Sequence, residues 1–141
     1  MPKDIKKFAQ SYMDGWNSGD WEKLAPYFAD DCVYEDVALG RVCKGKAEIK
    51  AFFIEMLQFS KDFKLDLKLA FGSGSMMGSE WTMAGTHSGD TPVMKATGKK
   101  YSIPGASITE IRGDKIVRNT DYWSMATLLQ QVGLMPGGPH G

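Results

Sequence analysis

Apolar positions along the chain switch between helical and strand spacing. Ile5, Phe8, Ala9, Tyr12, Met13 and Trp16 recur at helical spacing and predict an amphipathic helix with one aromatic stripe, ending near Gly19. Trp21, Leu24, Ala25 and Phe28 predict a short second helix with Asp20 as N-cap, which Pro26 disturbs unless it lies in the first turn. Cys32 to Val37 reads as a short strand and Gly40 to Gly45 as a loop. Ile49, Phe52, Phe53, Met56 and Leu57 mark the buried side of a third helix.

From Phe63 the period falls to two. Phe63, Leu65, Leu67, Leu69 and Phe71 alternate with Lys64, Asp66 and Lys68, predicting a strand with one dry face and one wet face. "GSGSMMG" turns the chain, Glu80 to Thr86 returns as a strand, and "GDTPVMKATG" forms a longer loop into a strand from Lys100 to Arg112. "RGD" is a tight connection to a last strand, Lys115 to Trp123, because glycine tolerates the positive φ that hairpins need. Ser124 caps a final short helix with Met125, Leu128, Leu129 and Val132, closed by Gly133.

Helices followed by hairpin-linked strands predict an α+β fold. A strongly curved antiparallel sheet packs on about three helices as a cone-shaped barrel, whose open end is a small-molecule pocket. One domain is expected over residues 1–135, followed by a loose tail over 136–141.

Composition narrows the function. With 141 residues, 43% of them hydrophobic, the chain suits one domain with a real core. Seventeen basic and seventeen acidic residues cancel without a run of like charge, so no nucleic-acid partner is expected. No stretch approaches the roughly eighteen apolar residues of a membrane span, and the N-terminus lacks the apolar segment of a secretion signal, so the expected location is cytoplasmic. Cys32 and Cys43 fit no CxxC pattern and read as reduced thiols, a disulfide staying open. A single histidine outside the tail and two separated cysteines offer no metal-ligand set, and neither glycine-rich loop has the context of a phosphate loop, so no cofactor is expected.

Candidate chemistry centres on "NTDYWS", where strand alternation puts Asn119, Asp121 and Trp123 on one face. A carboxylate in line with an indole makes sense if both face a ligand cavity, since apolar surroundings raise its pKa and make it a better base. The alternative is an edge acid that is hydrated or paired with Lys or Arg. Asp36, in the acidic string "DDCVYED", is either a pocket group or part of a solvated rim. Tyr12 lies on the aromatic stripe of the first helix, where a core tyrosine is the plain reading, and His87 sits where a strand meets a loop, which suits a loop-edge hydrogen bond. Trp16, Phe52, Phe53, Met56, Trp81 and Trp123 are mainly core, with some lining the cavity, and nine methionines supply an adaptable wall. The expected partner is a small hydrophobic carbonyl or aromatic compound.

The segments "GDWEKLAPYFADDCVYED", "GKAEIKAFF", "GTHSG" and "DYWSMATLLQQVGL", in this order over roughly Ile5 to Leu134, are similar to the nuclear transport factor two-like superfamily. Within it the chain resembles the SnoaL-like polyketide cyclases and the ketosteroid isomerases. The cyclase resemblance implies that Asp121 is the acid/base and that the family's catalytic histidine, in the "GTH" segment, falls on His87. The isomerase resemblance implies Asp36 as general base and Tyr12 as oxyanion donor. Its second donor, a protonated aspartate, falls on Ser107, a departure that substitutes a weaker donor. Together these imply a cofactor-independent acid/base enzyme performing intramolecular aldol cyclisation, or isomerisation by proton abstraction next to a carbonyl. The alternatives are a noncatalytic ligand binder of the same fold and an aspartate-dependent hydrolase or dehydratase. The resemblance also implies a homodimer or higher homo-oligomer.

Overall fold

The computed structural model describes residues 2–92 and 94–136; the expected tail, except for Pro136, lies outside them. Helix α1 (Ile5–Asn17) starts at Asp4, whose carboxylate accepts from Lys7 N–H, and its stripe of Ala9, Tyr12, Met13 and Trp16 is buried. Asp20 caps α2 (Trp21–Leu24), as its Glu22 hydrogen bond shows. Pro26 ends that helix in a 3-10 turn, Ala25–Tyr27, so Phe28 opens a strand and is not part of the second helix. Strand β1 (Phe28–Asp36) is followed by β2 (Arg41–Lys44), four residues that replace the expected loop. Helix α3 (Gly45–Phe59) buries Ile49, Phe52, Phe53 and Phe59. Then come β3 (Lys64–Ser73), β4 (Met76–Thr86), β5 (Lys100–Arg112) and β6 (Lys115–Trp123), and α4 (Met125–Gln131) capped by Ser124.

The sheet runs β2-β1-β6-β5-β4-β3. It is mixed: every neighbouring pair is antiparallel except β1 and β6, which run parallel and set Asp36 level with Asp121. This is the α+β architecture the sequence predicts, with the helices on the sheet's concave side supplying the cone's other wall.

One irregularity corrects the expected dry face of β3. Leu67 pairs with Trp81 and Leu69 with Glu80, two steps on β3 against one on β4, so Lys68 is the extra residue of a bulge. Because side chains alternate with period two, one inserted residue swaps the faces. Leu65 is buried, whereas Leu69 and Phe71 point outward, Phe71 with 63% of its surface exposed.

Pro104 falls just past the last β5–β6 pair, Gly105 with Trp123, where the strand has lost that neighbour and its missing N–H breaks no ladder bond there. A Cβ on Gly105 would stand 2.3 Å from the ring of Trp81, so glycine alone lets the indole lie across the strand. Among the described residues no helix is long and apolar enough to cross a membrane.

Candidate functional site

Strand alternation delivers the site. On β1, Cys32, Tyr34 and Asp36 are buried, and on the parallel neighbour β6 so are Asn119 and Asp121; the paired rows Tyr34–Asn119 and Asp36–Asp121 share the concave face. Asp121 is only 8% exposed. Its Oδ1 accepts from Ser107 Oγ at 2.6 Å and from Asn119 Nδ2 at 2.8 Å, and its Oδ2 accepts from the Tyr34 hydroxyl. Behind these stand further partners. Trp81 Nε1 donates to Ser107 Oγ at 2.9 Å, and Thr109 Oγ1 donates to the Asn119 carbonyl at 2.7 Å, which turns the amide's N–H toward the carboxylate.

Burial pushes the Asp121 carboxyl from 3.8 up to about 6, against the pull of Ser107, Tyr34 and Asn119, whose hydrogen bonds favour the charged form. Near neutrality it is therefore mostly ionised yet more basic than an ordinary carboxylate. Tyr12 and Tyr34 are raised well above the usual phenol value, first by burial and then by the charge of Asp121, so both keep their protons. Trp16 Nε1 donates to the Tyr12 oxygen at 3.0 Å, leaving the Tyr12 proton to be directed elsewhere.

Asp36 occupies a different setting. Its Oδ2 accepts from Trp123 Nε1 at 2.9 Å and its Oδ1 from Leu39 N–H at 3.0 Å, so it braces the β1–β2 turn and one aromatic wall. Burial raises its pKa, opposed by the Trp123 and Leu39 hydrogen bonds.

Among the described residues the cone interior holds an inner and an outer chamber. The inner one, of about 30 Å3, is lined by Asp121, Ser107, Tyr12, Tyr34, Trp16, Phe52 and Trp81, with Met13, Leu65, Met56, Phe63 and Met83. The outer one, of about 300 Å3, lies between α3, α4, the end of β6 and the segment carrying Thr91, Pro92 and Met94. Trp123, Phe59, Met125 and Leu128 form much of its apolar wall, and Arg41, paired with Glu55, stands on its lining.

The structure thus gathers Asp121, Tyr12, Ser107, Trp16, Phe52, Met56 and Trp81 around one space, with Asn119 behind Asp121 and Trp123 on the outer wall. Asp36 lines neither chamber and reaches the outer one through its bonds to Trp123 and Leu39, both on that wall. Phe53 packs on Trp16 with ring centroids 5.3 Å apart, in the core. His87 also lines neither chamber: it is fully buried, stacks on Phe59 at 4.4 Å and lies 3.1 Å from Thr97 Oγ1. Its backbone pairs with Lys99 and Gly98, so it anchors the loop from Ser88 to Lys99. Burial pushes its pKa down.

Sequence reasoning passed over Tyr34, although it stands two residues before Asp36 and alternation alone puts it on the same face. It also passed over Met83 and the Arg41–Glu55 pair, which no local motif distinguishes. Cys32 and Cys43 are buried and unbridged, and among the described residues no three His, Cys, Asp or Glu side chains are grouped to hold a metal ion.

Residues 6–132 match the family model described as SnoaL-like polyketide cyclase. No curated protein matches the chain. Among solved structures, a hypothetical protein with a ketosteroid isomerase-like fold from Catenulispora acidiphila, in complex with trimethylamine, has a TM-score of 0.82 at 22% identity, covering 94% of this chain and 96% of that one. IdmH from Streptomyces antibioticus, a polyketide cyclase by provisional assignment, has a TM-score of 0.79 at 19% identity, covering 90% and 96%. A protein from Xanthomonas campestris, assigned in the same provisional way, has a TM-score of 0.75 at 24% identity, covering 89% and 94%. At such identities the likeness is one of fold.

Proposed function

The chain belongs to the SnoaL-like polyketide cyclase family, and from that premise we propose that it is a cofactor-independent acid/base enzyme acting on a small hydrophobic carbonyl compound. The observation that carries this reading is Asp121: a buried carboxylate with its pKa lifted to about 6, on the wall of an otherwise mostly apolar chamber. Oδ1 takes two donors and Oδ2 only one, so Oδ2 keeps a lone pair for a proton on carbon.

In the proposed step Asp121 removes a proton from the carbon next to a carbonyl, and the electron pair of that C–H bond moves into an enolate. The negative charge collects on the substrate oxygen, toward which the Tyr12 hydroxyl, its own oxygen already accepting from Trp16, can donate. In aldol cyclisation the enolate carbon then attacks a second carbonyl of the same molecule, and the alkoxide takes the proton back from Asp121. In isomerisation the proton returns to a different carbon. Tyr34, Ser107 and Asn119 hold the carboxylate in place through both transfers.

A noncatalytic carrier is the rival favoured by one observation: the larger chamber, mostly apolar, touches neither Asp121 nor Asp36. Asp121→Asn separates the two. It keeps the shape and removes the base, so solvent deuterium uptake into a bound ketone should be lost while affinity for apolar ligands is retained. Uptake equal to that of the unaltered protein ends the enzymatic reading. The outward Leu69, Phe71, Ile108 and Tyr122 on the convex sheet face support self-association as a homo-oligomer.

A further inference from the structure

The volumes of the two chambers pose a problem for any ligand of the outer one. The outer chamber, at about 300 Å3, is at the lower end of ligand sites. The inner one, at about 30 Å3, has room for little more than one or two water-sized groups, and it is the one that Asp121 lines.

Met56 of α3, Phe63 ahead of β3 and Met83 of β4 touch both spaces. Their freedom differs. Phe63 packs against Trp16, ring centroids 6.0 Å apart, and Trp16 is itself tied to Tyr12 by a hydrogen bond. Met56 and Met83 are unbranched thioethers with three rotatable bonds, side chains that adapt to shape at low cost. Two movable chains therefore face one fixed ring at the junction of the chambers.

We propose that Met56 and Met83, closing against Phe63, form a gate that selects ligands by the width of the end passing between the chambers. The substrate that fits is an apolar body that stays in the outer chamber, with its reactive carbonyl and adjacent carbon on a slim terminal arm. An α-carbon fused into a ring would have to carry the whole ring past the two methionines. The substrate half of this inference rests on Asp121 being the base; the gate itself does not.

Two measurements test the halves separately. In a Trp21→Phe, Trp123→Phe background the remaining tryptophans are Trp16 and Trp81, both on the inner chamber. Quenching of their fluorescence by acrylamide, a slim solute, reads passage through the gate without any chemistry. Adding Met56→Ala and Met83→Ala should raise the quenching constant severalfold. Met56→Leu with Met83→Leu keeps the volume and stiffens the chains, so quenching should stay level or fall, with the fold secured. Unchanged quenching in the alanine variant, with native near-ultraviolet circular dichroism, overturns the gate; so does increased quenching in the leucine variant, which also decides the matter if the alanine variant does not fold.

The second measurement compares solvent deuterium uptake by acetophenone, whose enolisable methyl is a slim end, and 1-tetralone, where the same carbon is tied back into a ring. Rates are taken relative to buffer-catalysed exchange. The unaltered protein should favour acetophenone, and the alanine variant should raise the tetralone-to-acetophenone ratio by about tenfold or more, the scale of discrimination that small steric differences give. A ratio that stays fixed while Asp121→Asn abolishes uptake overturns the slim-arm substrate and leaves the proposed chemistry standing. Uptake independent of Asp121 strikes the proposed chemistry and the substrate half with it, and the quenching result then decides the gate alone.

Discussion

Asp121→Asn isolates what it costs the protein to hold a charge at the bottom of the cone. Burial lifts the carboxyl from 3.8 to about 6. That change corresponds to about 3 kcal/mol between the protonated and ionised forms. In the unfolded chain the group loses its proton near 3.8, whereas in the folded chain it keeps it to about 6. Between those values the folded state binds more protons, so stability falls as pH rises. Below the lower value both states are protonated and the contribution is fully favourable; above the upper value both are ionised and the whole penalty is in force.

Asparagine keeps the shape and cannot ionise. Its side-chain oxygen can still accept from Ser107 and Asn119, and its amide faces the Tyr34 hydroxyl, which can turn to accept. Whatever these exchanges contribute is independent of pH, so they offset the variant's curve without changing its slope. Asp36, raised by burial as well, titrates in both proteins and largely cancels. Urea unfolding followed by tryptophan fluorescence, at steps from about pH 4 to pH 7, gives the difference in unfolding free energy. It should move toward the variant by about 2 kcal/mol over that range, the remainder of the penalty developing below pH 4. A difference that stays flat, or that moves toward the unaltered protein, would refute the claim that burial dominates the carboxylate's environment.

Three further outcomes follow from the same contacts. Ser107→Ala takes one donor from Asp121 and leaves the Trp81 N–H unpaired, so the carboxyl should titrate higher than in the unaltered protein by carbon-13 NMR and the fold should lose about 1–3 kcal/mol. Gly105→Ala sets a methyl 2.3 Å from the Trp81 ring, which should destabilise by about 1–3 kcal/mol in urea and slow Asp121-dependent exchange, because Trp81 holds Ser107. Phe71→Ser removes the most exposed aromatic ring among the described residues and should lower the mass seen by sedimentation if the convex face is the homo-oligomer contact; an unchanged assembly counts against that face.

Much of the fold is legible because period and capping are local. The stripe of α1, the Asp20 and Ser124 caps and the alternation of β5 and β6 can be read directly from neighbouring residues. The departures lie where the decisive partner is distant. The bulge at Lys68 exists because β4 pairs with one residue fewer, and nothing in "KLDLKLAF" announces it. Strand β2 is four residues between glycines, too short for a period, and forms because β1 offers it an edge. The parallel pairing of β1 with β6 brings residues 36 and 121 level across most of the chain's length. Asp121 and its face can be named from alternation, whereas Tyr34 has the local signature of any aromatic core residue, and only its hydroxyl on the carboxylate gives it a role.

That parallel pairing also separates the roles of the two acids. Asp36 and Asp121 are register partners on one face, both nearly hidden from solvent, and the charge of Asp36 adds a little to what burial already does against ionising Asp121. Their surroundings divide them. Asp36 has both oxygens occupied by donors from the turn and from Trp123, and it lines neither chamber, so its geometry suits holding the outer wall in place. Asp121 is gripped by three side chains yet keeps one lone pair toward a space that a ligand's arm can enter. Burial is the larger obstacle to ionising Asp121 and the charge of Asp36 the smaller one. In the proposed step the base is then the acid with an open lone pair, and the neighbour's charge adds to its basicity.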